Sequence, residues 1–318
     1  MAVRPGTGVL VGSWPLGMPS DPTSFYPALA QQVEQCGFDS LFVGDHLFAA
    51  GPSVDALSLA AFFAATTTSL RIGTGVLQLA LREPVAAAKQ IATIDMLSGG
   101  RFVLGVGVGG EFVDEWAAVN VPREGRGRRL DDYLALAAQL WSGERVAFAG
   151  EFAEVDGVVG SPAPMRDGGP PIWVGGRSDA ALVRAARYNG WLAYASSIRR
   201  VRASVERLAE LRGDLDGFRI GVVLWTYAAD SVEVARQRIA EILGRRYRQD
   251  FDNFVTAFCA VGQPDDIASR VADFRAAGAT DILFSPQCRA DEFLDQVSAL
   301  RHLTSPMTLP LTSTMAAR

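Results

Sequence analysis

The chain has 318 residues, 49% of them hydrophobic and 20% charged, with a net charge of −5. This composition supports a sizeable core, argues against disorder, and lacks the basic surplus that general nucleic-acid binding needs. Three dispersed cysteines (Cys36, Cys259 and Cys288) and two histidines (His46 and His302) argue against a disulfide framework and against a zinc or multi-histidine site.

The stretch Met1–Leu16 is broken by Pro5 and Pro15 and lacks an apolar h-region. No apolar run reaches the length of a membrane span, so a soluble cytoplasmic protein is expected. Gly8–Gly12 is a strand candidate. Phe25, Leu29, Val33 and Cys36 then repeat at helical spacing until Gly37. Ser40–Gly44 is the second strand and Asp55–Thr67 the second helix. Arg71–Val76 is the third strand, and Pro84 opens the third helix at a first-turn position. After Ser98-Gly99-Gly100, the fourth strand runs Arg101–Val106. Arg126–Trp141 is an amphipathic helix with Leu130, Tyr133, Leu134, Ala137, Leu140 and Trp141 on one face. Arg145–Gly160 alternates like a hairpin. The remaining strands are Pro170–Val174, Gly190–Tyr194, Phe218–Thr226 and Asp281–Phe284. The remaining helices are Ser178–Tyr188, Ile198–Arg212, Ser231–Arg248, Pro264–Ala277 and Asp291–Leu303.

Eight strands, each followed by helix, imply parallel pairing through crossovers, and a run of eight closes into a (β/α)8 TIM barrel. One domain is expected over 1–318, with a short insertion near 145–160. A doubly wound sheet is the alternative.

In such barrels the active site lies at the carboxyl ends of the strands. The residues found there are Asp45-His46, Gly75-Val76-Leu77, Gly107-Val108-Gly109-Gly110-Glu111, Gly175-Gly176-Arg177-Ser178, Ala195-Ser196-Ser197, Tyr227 and Ser285-Pro286-Gln287. Glycines there let backbone approach a flat ring or a phosphate. His46 is the best catalytic candidate because imidazole titrates near neutrality; the competing reading is a packing residue. Asp45 either orients that ring or caps a helix. Glu111 is a proton donor or a plain surface acid.

Gly105–Gly110 satisfies G-x-G-x-x-G, but no second strand ending in an acid follows about 20 residues on; Asp131 and Asp132 sit inside the amphipathic helix instead. The Rossmann reading is therefore set aside. Ser178 is a good N-cap, and the free amides there with Arg177 could cradle a phosphate or form an ordinary capped turn. Arg123–Arg129 is a dense basic run, read as a solvated helix start in preference to a site for an anionic ligand tail. Trp191, Trp225 and Tyr227 lie on expected strands and could line a pocket, although aromatic residues there are more often core.

The stretches SLFVGDH (40–46), IGTGVL (72–77), AKQIATIDMLSGGRFVLGVGVGGEF (88–112), RGRRLDDYLALAAQLWSGERVAFAGEFAEV (126–155), PPIWVGGRSDAALVRAARYNGW (170–191) and GQPDDIASRVADFRAAGATDI (262–282) together resemble the luciferase-like monooxygenase superfamily of flavin- and F420-dependent oxidoreductases. The resemblance implies the barrel with its insertion and a flavin or deazaflavin ring over strands two to four. It also implies a phosphate near Gly175–Ser178, a non-proline cis peptide at Gly75-Val76, and a homodimer. The Asp45-His46 pair resembles deazaflavin-using relatives, which tilts the cofactor to coenzyme F420 over FMN. An FMN enzyme of this kind would draw reduced flavin from a partner reductase. Expected function is hydride transfer between reduced F420 and a small organic substrate, without a nucleic-acid or membrane partner. A non-catalytic cofactor-binding barrel and a different barrel enzyme are the competing classes. Schiff-base chemistry is disfavoured, because the single lysine, Lys89, falls on an outer helix.

Overall fold

A computed structural model describes residues 4–12, 14, 17–48, 52–110, 112–247 and 252–304. The barrel strands are β1 (Gly6–Val11), β2 (Ser40–Val43), β3 (Arg71–Thr74), β4 (Phe102–Val106), β7 (Ile172–Gly175), β8 (Gly190–Tyr194), β9 (Arg219–Ala228) and β11 (Asp281–Pro286). They pair in parallel in that order, and β11 returns to β1 to close an 8-strand ring. Nearly every residue of these strands is buried, as expected where one face lines the barrel and the other lies under helices. This is why they read as continuous apolar runs.

Large and small residues share the barrel interior. Phe42 and Trp173 stack with ring centroids 5.5 Å apart. A Cβ on Gly73 would meet the Phe42 ring at 2.5 Å, and one on Gly190 or Gly221 would meet Trp173 at 2.8 or 3.1 Å. The amino-terminal mouth is locked by Asp281, whose buried Oδ1 accepts from Arg71 (3.0 Å) and Arg219 (2.8 Å).

The outer layer includes α1 (Pro22–Gln35), α2 (Ala56–Thr66), α3 (Pro84–Leu97), α5 (Arg126–Leu140), α6 (Asp179–Ala185), α7 (Ile198–Arg212), α8 (Val232–Tyr247), α10 (Pro264–Ala276) and α11 (Phe293–Ala299). β5 (Arg145–Ala149) and β6 (Glu154–Val159) form an antiparallel hairpin where the insertion was expected. Among the described residues no helix is long and apolar enough to cross a membrane.

Several elements depart from expectation. β9 has 10 residues where most of its neighbours have four to six. β10 (Cys259–Gly262), which the sequence reading left unassigned, pairs with the carboxyl-terminal overhang of β9 along the edge that β8 no longer covers. The short helices α4 (Val113–Ala118) and α9 (Asp252–Phe258) were also unassigned. α6 starts one residue after the expected Ser178, because that side chain caps the helix from outside by accepting from Ala181 N–H. The last helix is shorter than Asp291–Leu303 and ends in a 3-10 turn, Arg301–Leu303.

Candidate active site

A cavity of about 260 Å³ opens at the carboxyl ends of the strands. Its floor includes Gly44, Gly75, Val76, Gly107, Gly109 and Gly175. The peptide bond between Gly75 and Val76 is cis, at the place the resemblance indicated. Val76 reaches across towards β4 and β7: a Cβ on Gly107 would come within 2.5 Å of one Val76 methyl, and one on Gly175 within 2.7 Å of the other. These glycines therefore seat Val76. The walls are mainly apolar, with Leu10, Trp14, Tyr194, Trp225 and Phe293.

Asp45 and His46 follow β2. Both carboxylate oxygens of the buried Asp45 are taken: Oδ2 accepts from Gln78 N–H (2.9 Å) and Oδ1 from Arg82 (2.8 Å). Arg82 also pairs with Asp55 at 2.7 Å. Asp45 thus ties the β2 exit to the segment after β3. Asp55, not Asp45, caps α2.

His46 packs edge-on against Phe112, centroids 5.1 Å apart. Its Nδ1 lies 3.3 Å from both carboxylate oxygens of Glu115 on α4. Glu115 is fully buried. Its Oε1 also accepts from Leu47 N–H (2.6 Å) and Phe48 N–H (3.1 Å), and its Oε2 from Gln78 Nε2 (3.2 Å). Burial pushes the Glu115 pKa up, but the bonds from Phe48 and Gln78 and the neighbouring His46 outweigh that, and it lies below the usual glutamate value. Gln78 Nε2 lies 3.2 Å from the same Nδ1; an ionised carboxylate only accepts, so a neutral His46 that bonds Glu115 carries its proton on Nδ1. Nε2 then carries the lone pair and has no partner among the described residues.

Gln78 donates to the Asp45 carbonyl (3.0 Å) and to Glu115, which fixes its amide orientation. Its Oε1 is left buried without a hydrogen bond, beside Gly109. A buried unpaired acceptor is costly unless something supplies a donor.

A family model described as luciferase-like monooxygenase matches residues 10–281. The chain belongs to this family. Within it, the chain is 33% identical over 223 residues to an uncharacterized protein of Mycobacterium tuberculosis, covering 63% of this chain and 76% of that one. It is 30% identical over 226 residues to an FMNH(2)-dependent dimethylsulfone monooxygenase of Pseudomonas putida, covering 68% and 61%. It is 35% identical over 179 residues to an F420-dependent hydroxymycolic acid dehydrogenase of Mycobacterium tuberculosis, covering 54% and 49%. The fold is similar to that of monooxygenase RslO1 from Streptomyces bottropensis, with a TM-score of 0.81 at 22% identity over 93% of this chain and 98% of that one. Family members are thus F420- or FMN-dependent oxidoreductases and monooxygenases.

Of the residues singled out from the sequence, Asp45, His46, Gly75, Val76, Gly107, Val108, Gly109, Gly175 and Gly176 line the cavity. Leu77 is buried behind it, bridged to Val106. Gly110 stands one residue past the lining. Arg177 is exposed and donates to the Ala195 carbonyl at 3.3 Å. Ser178 spends its hydroxyl on Ala181 N–H. Glu111 lies outside the described residues. The carboxylate observed at His46 is Glu115, which the sequence reading passed over. Gln78 was also missed. Of the three aromatic residues that could line a pocket, Trp225 does; Trp191 and Tyr227 are buried outside the lining.

Proposed function

We propose that this luciferase-like family member transfers hydride between reduced coenzyme F420 and a small organic substrate, with His46 handling the proton. The observation that carries this reading is the His46–Glu115 pair on the cavity wall. A buried carboxylate holds Nδ1, so Nε2 meets the substrate as a base when neutral and as a donor when protonated.

The cavity suits a flat ring. Its floor is backbone and glycine, its walls are aromatic, and the buried Gln78 Oε1 offers an unused acceptor. Asp45, Gly75, Val76 and Leu77 would position the ring, Leu77 from behind. Gly107, Val108, Gly109 and Gly110 would hold the ribityl chain, and Gly175, Gly176, Arg177 and Ser178 the phosphate. A reduced deazaflavin, when bound, supplies the hydride. The chain's own part is orientation, exclusion of water by Trp14, Tyr194, Trp225 and Phe293, and proton transfer at His46 Nε2. Glu115 acts through His46 by holding Nδ1 and so orienting the imidazole ring.

A second reading, an FMN-dependent monooxygenase with a partner reductase, is favoured by the likeness to the dimethylsulfone monooxygenase across 68% of the chain. Incubation with F420 or FMN, desalting and absorbance spectroscopy separates the two. Retained F420 is expected. Retention of FMN alone replaces the first reading with the second. If His46→Ala leaves turnover with every retained cofactor unchanged, the proton role of His46 is wrong.

A further inference from the structure

The cavity has two unlike halves. The exits of β2, β3, β4 and β7 supply the glycine floor, with Asp45, His46 and Gln78. The exits of β1, β8, β9 and β11, together with α11, supply bulky side chains instead. Trp14 packs edge-on against Phe293 with ring centroids 5.3 Å apart, and Tyr194 against Trp225 at 5.4 Å. The indole N–H of Trp14 is spent on the Tyr26 hydroxyl at 3.1 Å.

This bulky wall has no place for a charge. The described lining residues include no lysine or arginine. Burial pushes the Cys288 thiol up, so it stays neutral. Asp45, across the cavity, already accepts from Gln78 N–H and Arg82. An ionised ligand group against this wall would be desolvated without a partner, which is too costly to bind.

The wall does carry polar groups, at the exit of β11. Ser285 and Gln287 line the cavity and are both buried. The Gln287 backbone N–H donates to the Thr226 carbonyl at 2.9 Å. Its Nε2 donates to the Ser285 carbonyl and to Ser285 Oγ, each at 3.1 Å. A carbonyl only accepts, so this pairing fixes which way the amide points. Oε1 is then left without a donor among the described residues. Ser285 Oγ accepts from Nε2 and donates to none of them. An unused acceptor and an unused donor thus stand side by side, and a ligand hydroxyl can donate to the first and accept from the second. In the closed ring β1 separates β11 from β2, so the two exits lie about 10 Å apart, two strand spacings. A group held at β11 is therefore distinct from the one that meets His46.

We infer that Gln287 and Ser285 are specificity-determining residues that read a hydroxyl group on an uncharged, largely apolar substrate. Assigning this wall to the substrate rests on the function proposed above, in which the glycine half takes the cofactor ring.

Phenol, fluorobenzene and benzoate probe the wall with one ring size and three chemistries. Titration of the full chain at pH 7, followed by saturation-transfer NMR, is expected to show phenol binding about fivefold tighter than fluorobenzene, the equivalent of one neutral hydrogen bond. Benzoate should not bind saturably. Gln287→Leu should remove the preference for phenol, and Ser285→Ala, which leaves the backbone anchor of Nε2 in place, should reduce it. Gln287→Glu keeps an acceptor and should retain it. Equal binding of phenol and fluorobenzene to the wild type, or benzoate binding as tight as phenol, overturns the inference. So does a preference that survives both Gln287→Leu and Ser285→Ala but falls in His46→Ala, because the hydroxyl would then be read by His46. The titration is repeated on protein loaded with whichever cofactor it retains. Phenol should bind as before, and its exclusion by the cofactor would assign the wall to the ring and overturn the inference. A phenol preference lost in Gln287→Leu, in a protein that retains neither F420 nor FMN, refutes the proposed function and leaves the recognition point standing.

Discussion

Replacing Glu115 with glutamine keeps the shape and removes the charge, so it isolates what the carboxylate does. The Leu47 and Phe48 amides, 2.6 and 3.1 Å from Oε1, would hold the oxygen of the new side-chain amide where Oε1 now lies. The nitrogen of that amide must then face Gln78 Nε2 and His46 Nδ1. Each bond from a backbone amide falls from charge-assisted to neutral, a loss of about 1 kcal/mol, and the Gln78 contact becomes donor against donor at a similar cost. The expected destabilisation is about 3 kcal/mol, measured by urea unfolding at pH 7. The Glu115 pKa is held below its ordinary 4.5. Its contribution is therefore present above pH 4.5 and is lost as pH falls below that through the lower folded value. The stability gap between wild type and Glu115→Gln should accordingly narrow on acidification. The sharper readout is the imidazole. With two histidines in the chain, 15N-labelled side chains give a spectrum simple enough to assign. Wild-type neutral His46 should carry its proton on Nδ1, and Glu115→Gln should move it to Nε2. An Nδ1–H tautomer in the variant would refute the assignment of Glu115 as the group that orients His46.

Gly107→Ala should destabilise the protein by about 1–3 kcal/mol through overpacking, because the new methyl meets Val76 at 2.5 Å. Adding Val76→Ala should restore most of that loss in a double-mutant cycle, and purely additive effects would show that the two do not compete for space. Asp281→Ala should cost about 3 kcal/mol, the low end for a buried ion pair, since Arg71 and Arg219 keep some exposure. It should leave cofactor affinity unchanged at the opposite mouth, which unfolding and binding titrations check. Burial pushes the thiols of Cys259 to about 12 and of Cys288 well up, and raises that of Cys36 less. Iodoacetamide at pH 8 followed by mass spectrometry should modify Cys36 first. Early labelling of Cys288, which lines the cavity, would contradict its burial.

The barrel was legible because its strands are buried on both faces and its crossover helices keep one period from end to end. What escaped was short or conditional. β10 exists as a strand because β9 overhangs its neighbours, and nothing local in Cys259–Gly262 announces an available edge. α4 is one and a half turns long, too short for a helical period to show. The strand-exit rule found Asp45, His46 and the glycines without any partner information. It could not assign their work. Gly107 and Gly175, read as open approaches for a ligand, line the cavity, and the space their side chains would fill belongs to Val76, which reaches them from the segment after β3.

The two carboxylates after β4 show where local reading stops. Glu111, which directly follows the glycine-rich exit, was read as a proton donor or a plain surface acid, and it lies outside the described residues. Glu115 is the one that meets His46, 69 residues away in sequence, because α4 turns it inward and buries it. Its surroundings, two backbone amides, Gln78 and the imidazole, come from the loops after β2 and β3, so no spacing within 107–115 distinguishes it. The arginine run follows the same logic. Four arginines at close spacing look equally solvated until the hairpin claims Arg128, which pairs with Glu151, and Arg129, which stacks on Phe152. In both cases the chemistry of a residue is set by which neighbours have already been taken, and that is a property of the closed barrel and its insertion together.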